Sequence, residues 1–106
     1  MQNYKEVCGD KECVWFEIEP SEGKKFLKWA KVLGCVWLSG EEINPEKGAD
    51  FCHFSIHNDG KLANIAMSVW FAKHPKFENI DRYVFNEYIK DKKISPQSYM
   101  VVSPLQ

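Results

Sequence analysis

Polar and apolar residues alternate from Cys13 to Glu19 (CVWFEIE). Val14, Phe16 and Ile18 point one way, and Cys13, Trp15, Glu17 and Glu19 the other, as a half-buried strand requires. Pro20 ends the alternation. The period then changes. Phe26, Ala30 and Leu33 recur at helical spacing, supported by Leu27 and Trp29, and predict a helix from Ser21 to about Leu33. Ser21 reads as its N-cap, with Glu22 in the first turn, where the helix dipole favours an anion. Gly23 weakens that first turn. Lys24, Lys28 and Lys31 line a second face, which reads as a solvated stripe rather than an anion site. Gly34 fits the left-handed residue that stops a helix.

Cys35 to Leu38 predicts a second short strand. Ser39-Gly40 begins a turn, Glu41 to Asn44 a brief strand return, and Asn44 to Asp50 a surface loop. Phe51 to Trp70 reads as a hairpin with Asn58-Asp59-Gly60-Lys61 at its tip. A two-residue turn at Asp59-Gly60 pairs Ile56 with Ala63, Phe54 with Ile65 and Cys52 with Met67, an all-apolar face that Val69 and Phe71 extend. The other face then holds Phe51, His53, Ser55 and His57 against Ser68, Ala66, Asn64 and Leu62. A three-residue loop with Gly60 as a bulge pairs Phe54 with Asn64 and mixes polar with apolar groups, so the first register is preferred. Ala72 to Glu78, with His74-Pro75, reads as a loop. Asn79 or Asp81 caps a last helix to about Lys90, with Ile80, Val84, Tyr88 and Phe85, Ile89 as apolar rows, although Tyr83-Val84-Phe85 also fits the start of a strand. Residues 1–12 form a polar lead-in, and 95–106 a tail in which Tyr99 to Val102 adds an edge strand or stays mobile. The order predicts one α+β domain, with a mainly antiparallel sheet and two helices packed on one face.

The bulk numbers agree with that architecture. A chain of 106 residues fits one domain. Its 44% hydrophobic and 27% charged residues are globular values. The aromatic share is high, 14% with four tryptophans, enough to dominate a core or to furnish recognition groups. The net charge is −1 with both signs interspersed, which disfavours general nucleic-acid binding. A small phosphorylated ligand needs only one or two local cations and stays open. The polar N-terminal stretch lacks the apolar region of a secretory signal, and no apolar run approaches a membrane span. The expected compartment is the cytoplasm, where the four cysteines are thiols.

Candidate chemistry is sparse. The cysteines form no CxxC, and Cys8 and Cys13 sit at the edge of ligand spacing. His53 and His57 share a strand face about 13 Å apart, too far for one ion. No metal and no cofactor is expected; Cys35 and Cys52 read as small core hydrophobes and Cys8 as a loose thiol. Cys52 and His53 are adjacent strand residues on opposite faces, so they make no nucleophile–base pair. Glu41-Glu42 suit a ligand hydroxyl or a partner arginine, but read first as a solvated turn. Gly34 and Gly40 are separated by a strand and form no phosphate loop. The strongest candidate is a binding strip on the hairpin: His53, Ser55, His57 and Asn64, flanked by Phe51 and Trp70. Such a strip suits a planar polar ligand or a protein hot spot, against the alternative of an ordinary solvated sheet face. At the helix–strand joint, Trp37 is the one ligand contact that face counting leaves.

That joint also carries a resemblance. Phe26-x2-Trp29-Ala30, then Gly34-Cys35-x-Trp37-x2-Gly40-Glu41-x-Ile43, with the later tip His57-Asn58-Asp59-Gly60-Lys61-Leu62, resembles small bacteriophage and prophage accessory proteins over roughly residues 14–89. The resemblance implies a phage-encoded, non-catalytic inhibitor of host bacterial defence in the host cytoplasm. Such a protein acts by binding a host protein or by sequestering a nucleotide signal, the latter across a homo-oligomer with Lys28 or Lys31 beside Trp37 or Trp70. Two other classes stand beside it: a small enzyme using Cys52, His53 or His57, and a regulatory module that adds a partner strand at an open sheet edge.

Overall fold

The computed structural model describes residues 3–64 and 81–95. In chain order these form α1 (Tyr4–Cys8), β1 (Cys13–Glu17), a 3-10 turn (Pro20–Glu22), α2 (Gly23–Val32), β2 (Val36–Trp37), β3 (His53–His57), β4 (Lys61–Ala63), β5 (Asp81–Val84) and α3 (Phe85–Asp91). The strands make one sheet in the order β2-β4-β3-β1-β5. Its centre is antiparallel, β1 with β3 and β3 with β4, and both edges are parallel, β2 with β4 and β1 with β5. The α+β class is as expected; the sheet is mixed, with its antiparallel part in the middle.

The core lies where the alternation of β1 predicts. Val14, Phe16 and Ile18 meet Phe54 and Ile56 of β3, Leu62 of β4, and Phe26, Leu27, Trp29, Ala30 and Leu33 from α2. Phe85 and Tyr88 of α3 close the cluster. Phe16 is its hub, with ring centres 5.5 Å from Phe26, 5.4 Å from Trp29 and 5.2 Å from Tyr88. Phe26 stacks on Phe54 at 4.8 Å. Each such pair contributes about 0.5–1.5 kcal/mol beyond its buried area. Much of the aromatic surplus is therefore core material.

The first element is a helix rather than a frayed lead-in. Asn3 Oδ1 accepts from the N–H groups of Lys5 and Glu6 at 2.9 and 3.1 Å. Glu6 Oε1 accepts in return from the Asn3 N–H at 2.9 Å, completing a capping box. Val7 and Cys8 are buried, and the Tyr4 N–H donates to the Leu33 carbonyl at 3.2 Å. Ser21 is not an N-cap. It lies inside the 3-10 turn that Pro20 opens, and no side chain caps α2. The end of α2 is as read: the Gly34 N–H bonds the Lys31 carbonyl and the Cys35 N–H that of Ala30, with Gly34 at φ 94°. β2 covers only Val36–Trp37, and the return strand reduces to a bridge between Val36 and Glu42.

The hairpin register is corrected by one residue. Ser55 pairs with Ala63 and Ile56 with Leu62, which is the three-residue-loop register. The Gly60 N–H closes a turn on the His57 carbonyl at 3.0 Å, and Gly60 stands at φ 89°. That is a tight turn followed by a left-handed bulge residue, for which glycine is the natural choice. The preferred register assumed one apolar and one polar face. Here Phe54, Ser55 and Ile56 are all buried, and so are Cys13 to Phe16 in a row, so both faces of the central strands are covered. The last helix is also corrected: Asp81–Val84 is a strand beside β1, and the helix starts only at Phe85. Residues 65–80, with Ile65, Met67, Ser68, Val69, Trp70, Phe71 and the His74-Pro75 loop, and Tyr99 to Val102 lie outside the described residues.

Candidate functional site

The hairpin strip is built on the second face of β1 and β3. Cys13 faces His57, Trp15 faces Ser55 and Glu17 faces His53. The flanking bonds, Ile18 N–H to the Cys52 carbonyl and Asn58 N–H to the Glu12 carbonyl, make these the close, non-hydrogen-bonded pairs of the ladder. Their side chains therefore touch. Ser55 is 1% exposed and Trp15 2%, so the centre of the strip is interior. Ser55 Oγ meets His57 Nε2 at 3.1 Å, and the His53 ring lies 5.6 Å from that of Trp15. Asn64 leaves the strip, because the corrected register puts Ala63 across from Ser55. His53 and His57 are half-buried at its two ends, and Phe51 is 47% exposed just before it. Trp70 lies outside the described residues.

Cys52 corrects two expectations at once. It is exposed rather than a core hydrophobe, and its Sγ lies 3.2 Å from His53 Nδ1. Strand alternation does not separate the two side chains, because β3 begins at His53 and Cys52 occupies the bend before it. The other three thiols are buried. Burial, with the Asp59 carboxylate second, pushes the Cys8 thiol up to about 11, and its Sγ–H donates to the Ile56 carbonyl at 3.4 Å, so it is not loose. Burial first and the neighbouring Cys8 next push Cys13 and Cys35 up to about 12.

A groove lies at the helix–strand joint. It encloses about 530 Å³ and is lined by Trp37, Glu41, Glu42, Asn44, Lys47 and Gly48. β2 presents Trp37, whose half-buried ring packs near Phe54 at 6.4 Å. The turn through Gly40 brings the carboxylates round: the Trp37 N–H donates to the Glu41 carbonyl at 2.9 Å and the Gly40 N–H to the Trp37 carbonyl at 2.7 Å. The opposite wall is the 44–48 loop. Asn44 Oδ1 accepts from the Glu46 N–H at 3.0 Å, and a Cβ at Gly48 would sit 3.5 Å from the indole. Lys24 of α2 ties that loop down through Glu46 at 2.9 Å, holding the Glu46 carboxyl below its usual range. Both partners are exposed, so the tie orients the loop more than it stabilises the fold.

Sequence reasoning named Trp37 but left Glu41, Glu42, Asn44, Lys47 and Gly48 as solvated turn and loop. The signal was an aromatic between two glycine turns, followed at once by paired carboxylates. A smaller groove of about 340 Å³ runs between β5 and α3, past Tyr83 and Tyr88, with balanced charges from Arg82, Lys92, Glu87 and Asp91. Among the described residues no helix is long and apolar enough to cross a membrane. The chain matches no protein-family model, no curated protein and no solved structure.

Proposed function

We propose that this chain is a non-catalytic binding protein whose docking site is the Trp37 groove, and that it takes a basic side chain of a partner protein. The observation that carries this reading is the pairing of an indole wall with Glu41 and Glu42, opposed among the described lining residues by Lys47 alone. A guanidinium or ammonium gains from an aromatic face and from carboxylates together. A nucleotide phosphate would meet two like charges and one cation, which argues against sequestration of a nucleotide signal. Lys28 and Lys31 do not line the groove. The resemblance to phage accessory proteins supports a host protein as the partner and inhibition of host defence as the outcome.

The test is a titration of the purified protein with a short arginine-rich peptide and, separately, with cyclic nucleotides. The peptide is expected to bind. Trp37→Ala should weaken it by about 2 kcal/mol, the scale of a central aromatic anchor. Because Trp37 also packs on the core, the charge variant Glu41→Gln with Glu42→Gln provides a second measure, and it too should lower affinity while leaving the fold intact. Equal affinity in the charge variant, or binding of a cyclic nucleotide in place of the peptide, would overturn the reading.

A further inference from the structure

We propose that Cys52 and His53 form a thiol–imidazole dyad at which the protein undergoes reversible exchange with small neutral or cationic disulfides. The dyad is independent of the Trp37 groove. Of the four thiols, Cys52 alone is exposed. Its Sγ is within hydrogen-bond reach of His53 Nδ1, at 3.2 Å. Both members are held. The Cys52 carbonyl accepts from the Ile18 N–H at 2.8 Å, and the His53 ring packs on Trp15. Imidazole that is neutral with its proton on Nε2 presents Nδ1 as the acceptor for the thiol proton.

The surrounding charges select the reagent. Glu17 of β1 stands directly across from His53, Glu19 follows Glu17 by two residues, and Asp50 precedes Cys52 by two. Arg82 of β5 is across from Trp15 on the same face. The acidic excess among the described residues repels an anionic disulfide and attracts a cationic one.

The Cys52 S–H proton passes to His53 Nδ1. The thiolate attacks one sulfur of the disulfide, a new S–S bond forms and the old one breaks. The departing half leaves as a thiolate and takes the proton from the imidazolium. Cys52 is oxidised and the incoming disulfide is reduced to one thiol and one mixed half. A second thiol runs the same step in reverse.

The experiment treats the native protein at pH 7 with cystamine, glutathione disulfide or iodoacetamide, and maps adducts by mass spectrometry. Cys52 should be the site modified, faster than free cysteine, with cystamine ahead of glutathione disulfide; dithiothreitol should remove the two mixed-disulfide adducts and leave the iodoacetamide thioether in place. His53→Gln should slow all three reagents by about tenfold or more. Cys52→Ser should abolish the adduct. Comparison of the wild type with free cysteine needs no variant, so a folding defect in His53→Gln would not shelter the proposal. A Cys52 that reacts no faster than free cysteine, an unchanged rate in a folded His53→Gln, or adducts spread over all four thiols would each overturn it.

Discussion

Gly23 shows how much a single residue's meaning depends on its surroundings. Along the chain it is only a weak point in the first turn of α2. In the fold, a Cβ at this position would lie 1.8 Å from the Ala49 carbonyl oxygen, a backbone atom that cannot swing aside. Gly23→Ala raises helix propensity, yet it should destabilise the protein by about 1–3 kcal/mol, the usual cost of overpacking. A urea titration monitored by tryptophan fluorescence checks the sign; a stabilised Gly23→Ala would show that the α2–loop approach is slack. Cys52 makes the same point for chemistry. The rule that neighbouring strand residues face apart is sound, but it applies only inside a strand, and Cys52 stops one residue short.

Among elements, α1 was legible and overlooked. Asn3 followed three residues later by Glu6 is a capping-box pattern, and Val7-Cys8 gives the short helix a face to bury. The polar composition of the first twelve residues hid it. Asn3→Ala should cost about 1 kcal/mol. It should also speed alkylation of Cys8, the buried last residue of α1; unchanged stability and unchanged Cys8 reactivity would mean that tertiary contacts alone hold the element. The hairpin was half legible. Asp59-Gly60 marks the tip in either register, and Gly60 supplies the positive φ in either. The choice between registers turned on whether the second face was polar, and Trp15 beside Ser55 makes it interior. β5 and α3 share one apolar run, which strand and helix periods both fit over four residues; pairing with β1 settles its first part as strand.

For the molecule as a whole, the buried thiols set an alkaline limit. Cys8, Cys13 and Cys35 are held up to about 11, 12 and 12 from an ordinary 9.0, chiefly by burial. Raised values mean that the folded state keeps protons the unfolded chain gives up. The contribution of these thiols is therefore fully present below pH 9 and is lost as pH rises through 11 to 12. Tyr83, raised by burial and by Asp81, acts in the same direction. Thermal midpoints should fall steadily above pH 9, and Cys35→Ala should flatten that fall. A slope that Cys35→Ala leaves unchanged would point to lysine and tyrosine ionisation instead.

By itself, the order of residues determined the periodic parts of this protein: the core face of β1, the buried row of α2, its stop at Gly34, and the α+β class. These follow from local geometry, since period and turn chemistry are properties of neighbours along the chain. Only the tertiary structure decided the register of the hairpin, the burial of Trp15 and Ser55, the contact of Cys52 with His53, and the groove that joins Trp37 to a loop ten residues on. Each of these depends on what lies across space from a residue, and a one-residue slip or a covered second face changes the partner without changing the local pattern.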